Sequence, residues 1–94
     1  MFTIKYHYLV VTRDIPKLDT LMRKRIKADI EKKLVSHPET FGAPLRRSLN
    51  SYRKLRVGDY RVIFKIEQLT VRILLIAHRS VAYQEIYKRV ALSS

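Results

Sequence analysis

The side chains that could carry chemistry in this 94-residue chain are basic and phenolic rather than acidic. Its 8 acidic residues and 3 histidines are scattered along the sequence, so we expect neither a metal-binding cluster nor a pair of catalytic carboxylates. Cysteine is absent, which excludes a thiol nucleophile, a zinc–thiolate site and a disulfide framework. The expected chemistry therefore uses no metal and no cofactor.

Lysine, arginine and tyrosine can still cleave RNA, because RNA supplies its own nucleophile in the 2′-hydroxyl. The reaction then needs a proton acceptor, a proton donor and positive charge at the phosphate. A free tyrosine has a pKa of about 10 and needs nearby positive charge to act as a base. Tyr83 and Tyr87 follow Arg79 on a C-terminal segment that is able to fold back over a basic surface. The simpler interpretation of each tyrosine is a packing aromatic, and we favour it for Tyr87.

The net charge of +12, from 20 basic and 8 acidic residues, indicates a polyanionic partner. Residues 1–47 hold 11 of the basic side chains and residues 48–94 hold 9, so the positive field belongs to the folded body. Nucleic acid, an acidic protein or an anionic membrane surface would satisfy this charge. No apolar run approaches the roughly 20 residues that a bilayer crossing needs, and residues 1–11 lack the pattern of a secretory signal. We expect a cytoplasmic protein with no membrane partner.

Hydrophobic spacing indicates the elements that would position these side chains. Alternation in residues 2–10 predicts a strand, and apolar residues three and four apart between residues 15 and 34 predict helices. Asp19 or Thr20 would cap the longer helix, leaving a short first helix at residues 15–18. Residues 36–47 are expected to be irregular. Three strands follow, at Tyr52–Val57, Tyr60–Glu67 and 71–77, and then a short helix at residues 83–92.

The element order β-α-α-β-β-β-(α) predicts an α+β fold. We expect one domain over residues 1–94, with a mainly antiparallel sheet and helices packed on one face. The longer helix would carry a basic outer face, formed by Arg23, Lys24, Arg25, Lys27, Lys32 and Lys33. We interpret that face as solvated surface, although its spacing is equally compatible with guiding RNA or holding an acidic partner.

A two-residue turn at Gly58 and Asp59 sets which side chains share a face of the first hairpin. Leu55 would oppose Val62 on a mostly apolar face turned to the helices, with Arg53 at its far end. The opposite face collects Tyr52, Lys54, Arg56, Arg61 and Lys65. Like charges directly opposite one another destabilise a sheet, so this face favours a bound anion. The alternative is that these long side chains extend into solvent and cover apolar neighbours.

The third of these strands would extend both faces if the turn at residues 68–70 has an even length. Ile73 and Leu75 would then lie on the apolar face, while Arg72 and His78 would join the basic face. A two-residue loop at residues 69–70 would set His78 directly opposite Arg61. An odd loop or a bulge would change this arrangement.

Four segments of the chain together resemble the RelE/ParE superfamily of bacterial and archaeal toxins. They are DIPKL at 14–18, PLR at 44–46, YRKLRVGDYRV at 52–62, and His78-Arg79 followed by Tyr83. The resemblance covers nearly the whole chain up to about Tyr83, and the run at 52–62 is its most specific part. It implies a small α+β toxin held by a cognate antitoxin, whose acidic or amphipathic segment would wrap the long helix and the hairpin.

RelE-like members of this superfamily are endoribonucleases (mRNA interferases) that cut mRNA in the ribosomal A site and so inhibit translation. The resemblance implies that Tyr83 is the base on the 2′-hydroxyl, assisted by Lys54, and that Arg61 stabilises the phosphate. Arg79 or His78 would protonate or stabilise the leaving oxygen. The side chains expected to bind mRNA or rRNA are Arg46, Arg47, Tyr52, Arg53, Arg56, Lys65 and Arg72.

The chain also departs from the superfamily pattern, and other functions stay open. Ala77 stands where many members have glycine, and Tyr87 competes with Tyr83 for the role of base. No glutamate occupies the strand position that some relatives use. ParE-like members share the fold but inhibit DNA gyrase, and they tend to lack this set of lysine, arginines and tyrosine. A third hypothesis is a non-catalytic relative that binds nucleic acid or an acidic partner.

Overall fold

The computed structural model describes residues 1–93, with side chains described for residues 1–91. A five-stranded sheet has the order β1-β5-β4-β3-β2, in which β1 runs parallel to β5 and the other neighbours are antiparallel. Its strands are β1 (Thr3–Tyr6), β2 (Ala43–Pro44), β3 (Tyr52–Val57), β4 (Tyr60–Glu67) and β5 (Thr70–His78). The helices are α1 (Thr20–Asp29), α2 (Pro38–Phe41) and α3 (Ala82–Ser93). No helix in this described part of the chain is long and apolar enough to cross a bilayer.

The first face of the sheet packs against the N-terminal helical segments. A π-helical turn (Val10–Asp14) and a 3-10 turn (Ile15–Lys17) precede α1, and a second π-helical turn (Ile30–Leu34) extends it. Asp19 caps α1, because its carboxylate accepts a hydrogen bond from the Met22 amide at 2.8 Å. The predicted apolar stripe is confirmed: Ile26 lies in one buried cluster with Val62 and Phe64 of β4.

The second face of the sheet is covered by α3, so the helices do not all pack on one face as expected. Ile86 of α3 packs against Ile63 and Leu75 of the sheet, together with Leu49 from the segment before β3. These apolar side chains lie on the side of the sheet opposite the first cluster, and burying them is favourable. The α+β class and the mainly antiparallel sheet are confirmed.

The register predicted for the β3–β4 hairpin is confirmed at every position. Gly58 takes a left-handed conformation (φ +59) in the two-residue turn, which glycine adopts without strain. Leu55 opposes Val62, and Arg56 opposes Arg61 on the other face. The bounds of both strands are those predicted.

The faces predicted for β5 are confirmed as far as Ile73, and beyond it a bulge reverses them. The two-residue turn lies at residues 68–69 and not at 69–70, so Phe64 pairs with Ile73, and after the bulge its neighbour Ile63 pairs with Leu75. The extra residue, Leu74, lets two successive leucines pack against α3, where Leu75 joins the second cluster rather than the first. The position of the turn and the bulge together set His78 opposite Tyr60, on the face that carries α1, and not opposite Arg61.

The N-terminal strand and the 36–47 segment also differ from expectation. Helical backbone begins at Tyr8, so β1 ends at Tyr6. His7 caps the start of this helical segment, because its Nδ1 accepts a hydrogen bond from the Leu9 amide at 3.1 Å. Residues 36–47 contain α2 and β2 rather than irregular chain, and Gly42 between them lies so close to the Phe64 ring that a Cβ there would clash with it.

A buried ion pair joins α3 to the N-terminal helical segments. Arg89 donates to Asp14 at 2.6 Å, and the two side chains are only 7% and 6% exposed. The pairing of β1 with β5 ends at the Ile73 carbonyl, which accepts a hydrogen bond from the His7 amide. Beyond that point Asp14 accepts from the Ile76 amide at 2.9 Å and Arg89 donates to the Leu74 carbonyl at 3.1 Å. Asp14 and Arg89 thus hydrogen-bond backbone groups of β5, next to the bulge, that a longer β1 would have paired with.

We predict that Arg89→Met lowers the free energy of unfolding by about 3–5 kcal/mol, because it leaves the Asp14 carboxylate buried without its partner. Urea unfolding followed by circular dichroism measures the change. Asp14→Asn combined with Arg89→Met should recover part of the loss, since the amide carries no charge. A loss below about 1 kcal/mol for Arg89→Met, as at an exposed ion pair, would contradict the account.

We predict that stability falls as the pH drops below 6.5, because burial and the charge of Arg89 lower the pKa of His7 from its usual 6.5. The unfolded chain then binds a proton more readily than the folded one, so the contribution of neutral His7 is present above pH 6.5 and is lost on acidification. His7→Asn keeps a capping acceptor without titrating. Unfolding at pH 7.5 and 5.5 should show a smaller drop for His7→Asn, and an equal drop in both proteins would contradict the assignment.

Candidate active site

An open groove of about 490 Å³ lies between α3, β3 and the segment that precedes β3. Its walls are formed by Pro44, Leu45, Arg46, Arg47, Leu49, Lys54, Tyr83 and Tyr87. Three of these residues are cationic and two are tyrosines, and none of the described wall residues is an acid. Five of the eight, namely Arg46, Arg47, Lys54, Tyr83 and Tyr87, are residues that the sequence predicts for the site.

Lys54 and Tyr83 form the polar centre of the groove. The Lys54 ammonium donates a hydrogen bond to the Tyr83 hydroxyl across 2.5 Å. Lys54 points to this side because it alternates with the buried Leu55 along β3. Tyr83 reaches it from the first turn of α3, which the buried Ala82 and Ile86 hold against the sheet. The structure thus brings together two side chains 29 positions apart that the family resemblance assigns to one reaction.

Arg46 and Arg47 form the opposite wall. Leu45 anchors the segment, because its side chain is buried and its amide donates to the Tyr52 carbonyl at 2.9 Å. Arg47 has a φ of +57, in the left-handed region that non-glycine residues adopt with strain. Such strain persists where the surrounding structure fixes the backbone, as buried Leu45 and Leu49 do here.

A second group of cations lies beside the groove, toward the hairpin turn. Arg61 is diagonal to Lys54 on the same face of β3 and β4, a relationship that places Cβ atoms about 7 Å apart. Its guanidinium donates to the carbonyls of Gly58 and Tyr60, at 3.1 and 2.9 Å. Arg56 lies opposite Arg61 and is exposed. The amide of Arg79 donates to the Asp59 carbonyl at 2.7 Å, which holds the end of β5 beside the same turn.

Two of the predicted site residues lie away from the groove. The bulge in β5 puts His78 on the other face of the sheet, where its Nδ1 accepts from the Ser80 amide at 3.1 Å. Arg53 also faces away, and its guanidinium donates to the carbonyl of Gly42 at 2.7 Å. Arg53 therefore joins the α2–β2 segment to the sheet.

Three other predicted RNA-binding residues lie at the far end of the hairpin. Arg72 is paired with Glu67 at 3.1 Å, and Lys65 lies 3.9 Å from the same carboxylate. Lys65 also lies 5.4 Å from the centre of the Tyr52 ring, and Tyr52 packs against the second cluster. Because Glu67 offsets their charge, this end of the face attracts polyanions less than the groove does.

Sequence reasoning missed the apolar walls of the groove, Pro44, Leu45 and Leu49. Pro44 and Leu45 lie in a segment that resembles the superfamily, but no local pattern shows that they and Leu49 line a groove, because its other walls come from β3 and α3. It also missed the partnership of Asp14 and Arg89, for which a signal exists. Arg89 interrupts the apolar stripe of Ala82, Ile86 and Val90 on α3, and a basic residue on a buried stripe requires a buried acid.

Comparison with known proteins identifies the family to which this chain belongs. The model for the ParE toxin of the type II toxin–antitoxin system parDE matches residues 7–83. Toxin RelE of Mycobacterium tuberculosis is 33% identical over 84 residues, which cover 84% of this chain and 87% of that protein. The chain therefore belongs to the RelE/ParE superfamily of toxins from type II toxin–antitoxin systems.

Solved structures agree with this assignment. The toxin–antitoxin complex RelBE2 from Mycobacterium tuberculosis contains a chain with a TM-score of 0.70 and 30% identity, and the match covers 83% of this protein and 98% of that chain. The isolated RelE toxin of E. coli matches with a TM-score of 0.69 at 18% identity, covering 96% and 99%. The RelB–RelE complex of Methanococcus jannaschii contains a chain that matches with a TM-score of 0.68 at 23% identity, and the match covers 86% of this protein and 96% of that chain. The last two support the fold alone.

Proposed function

We propose that this toxin is a metal-independent endoribonuclease that cuts mRNA on the ribosome in the cytoplasm and thereby inhibits translation. The observation that carries the proposal is the Lys54–Tyr83 hydrogen bond at the centre of a cationic groove. RNA brings its own nucleophile, so cleavage needs only a base, a proton donor and positive charge at the phosphate. The identity to a RelE toxin supports the same activity.

In the proposed reaction, the phenolate form of Tyr83 takes the proton of the 2′-hydroxyl next to the scissile phosphate. The 2′-oxygen then bonds to phosphorus and the bond to the 5′-oxygen breaks, leaving a 2′,3′-cyclic phosphate and a 5′-hydroxyl. Lys54 holds the phenolic oxygen in place, and its positive charge stabilises the phenolate before it takes the proton. Arg79, which directly follows β5, stabilises the 5′-oxygen while that oxygen takes a proton from a water molecule.

The phosphate acquires additional negative charge in the transition state, and the arginines around the groove stabilise it. Arg46 lines the groove itself. Arg61 reaches the phosphate by rotating away from the carbonyls of Gly58 and Tyr60. A phosphate carries a full negative charge and can accept two parallel bonds from a guanidinium, whereas a carbonyl oxygen is neutral, so this exchange is favourable. Arg56 extends the cationic surface beyond Arg61.

The outlying predicted residues take smaller roles in this proposal. His78 and Arg53 face away from the groove, so we assign them no contact with RNA. Lys65 and Arg72 would contact the RNA backbone farther from the scissile phosphate, after separating from Glu67. Tyr52 supports the Lys65 side chain by packing beneath it.

A second candidate is a ParE-like toxin that inhibits DNA gyrase, and the matching ParE family model favours it. Inhibition by binding requires no base, so the Lys54–Tyr83 pair would have no chemical role. Double-stranded DNA breaks with intact mRNA would identify this function.

We predict that Tyr83→Phe lowers the rate of mRNA cleavage on purified ribosomes by about 100-fold or more, because it removes the proton acceptor. Lys54→Met should lower the rate as well, since the tyrosine loses its cationic partner. Mapping of mRNA 5′ ends after mixing toxin, ribosomes and message measures both effects. Tyr6→Phe is a matched control, because Tyr6 lies on β1 outside the groove. A fully active Tyr83→Phe protein would refute the assigned base.

We also propose a docking site for a cognate antitoxin, as expected for a toxin whose solved relatives include the toxin–antitoxin complex RelBE2. An apolar groove of about 420 Å³ runs between the N-terminal helical segments and α1. Its apolar walls include Val11, Ile15 and Ile26, and Arg23 and Lys27 also line it. An amphipathic helix with acidic flanks fits both the apolar floor and the charged rim. The antitoxin would therefore bind the first face of the sheet, opposite the candidate active site.

We predict that Val11→Glu weakens antitoxin binding by about tenfold or more, because a carboxylate would then lie against apolar groove walls. Co-purification and calorimetry with the co-expressed antitoxin measure this loss. Leu21→Glu is a matched control, since Leu21 is 81% exposed on α1 and does not line the groove. Equal binding by both variants would place the antitoxin elsewhere.

A further inference from the structure

We propose that Tyr87 and Arg47 form a nucleobase subsite that holds the base next to the scissile phosphate by stacking. The inference rests on the proposed RNA substrate and deepens it, because it assigns a positioning role to two groove residues outside the Lys54–Tyr83 pair. Its expected ligand is an unpaired base of single-stranded RNA, with purines preferred.

The first observation is the place of Tyr87 on α3. Tyr87 follows Tyr83 by four positions, so the two rings lie on one face of the helix, about 6 Å apart at their Cβ atoms. Tyr87 is 53% exposed and lines the same groove. A ring left half in solvent beside a reaction centre offers a flat surface, and every base has a face that can stack on it.

The second observation is the division of the groove into a polar and an apolar part. Lys54 and Tyr83 form the polar part, where a phosphate and a 2′-hydroxyl would sit. Pro44, Leu45 and Leu49 contribute apolar wall, to which a phosphate is poorly suited. A nucleobase is planar and largely apolar on its faces, and it lies within reach of the phosphate on the same nucleotide. Because the polar and apolar parts adjoin, one nucleotide could place its phosphate and 2′-hydroxyl in the first and its base in the second.

The third observation is the backbone at Arg47. Arg46 is extended, Arg47 begins a 3-10 turn (Arg47–Leu49), and both side chains line the groove. Arg47 takes a left-handed conformation at the start of this turn, and its carbonyl accepts from the Asn50 amide at 3.1 Å, which closes the turn. A guanidinium is planar and stacks on aromatic faces. Arg47 can thus cover the base from the side opposite Tyr87, while Arg46 contacts the backbone.

Stacking predicts a distinct kinetic effect for Tyr87. Tyr87→Leu should raise the KM for ribosomal mRNA cleavage by about tenfold or more, with a smaller change in kcat, and should weaken the preference for purines. Tyr87→Phe keeps the ring and should restore the KM. If Tyr87→Phe instead abolishes kcat, Tyr87 is the catalytic base and the stacking role is wrong.

A binding measurement tests the subsite without depending on cleavage. The chain contains no tryptophan, so in a Tyr87→Trp variant the fluorescence reports on that position alone. Short single-stranded oligoadenylate should quench this fluorescence more strongly than oligouridylate. A Tyr8→Trp variant, with the indole at a 70% exposed position outside the groove walls, should show no such difference.

Different results would refute the proposed endoribonuclease activity and the proposed nucleobase subsite. Quenching by oligoadenylate with no mRNA cleavage on ribosomes would refute the endoribonuclease and leave the nucleobase subsite standing. Cleavage that is insensitive to Tyr87→Leu, or equal quenching of the Tyr87→Trp and Tyr8→Trp variants, would refute the subsite. Quenching that is equal for the two oligonucleotides would refute the preference for purines.

Discussion

The buried ion pair between Asp14 and Arg89 holds the two faces of this fold together. Asp14 belongs to the N-terminal helical segments on the first face, and Arg89 belongs to α3 on the second. Both side chains also hydrogen-bond the backbone of β5 where β1 has ended. The strand thereby gains partners along an edge that would otherwise leave buried polar groups unsatisfied. Burying two charges is expensive, and these additional hydrogen bonds are what offset that expense.

The docking of α3 decides whether a candidate active site exists at all. Lys54 stands on a rigid hairpin, but Tyr83 belongs to a helix that follows the sheet in sequence and must fold back over it. Ile86 and Arg89 fix the helix on the bulged half of β5, and the first turn then presents Tyr83 to Lys54. The bulge therefore also shapes the candidate active site, because it provides the two adjacent leucines against which α3 packs.

The sequence predicts well those features that local chemistry determines. The turn at Gly58 and Asp59 allows one register, so the positions of Lys54 and Arg61 follow from counting. The bulge at Leu74 has no comparable local signal, since Leu74, Leu75 and Ile76 are all apolar and fit either face. The sequence therefore does not predict that the bulge removes His78 from the basic face. The proximity of Lys54 and Tyr83 came from family resemblance, because their contact depends on tertiary packing between segments far apart in the chain.

The central claim is that Lys54 and Tyr83 act as one unit, and a double-mutant cycle on the cleavage rate tests it most directly. Lys54→Met, Tyr83→Phe and the double variant are compared on purified ribosomes programmed with one message. If the pair is the reaction centre, the double variant should be about as slow as the slower single variant, because each substitution removes the same interaction. Losses that simply multiply would show that the two residues act independently, and would contradict the account.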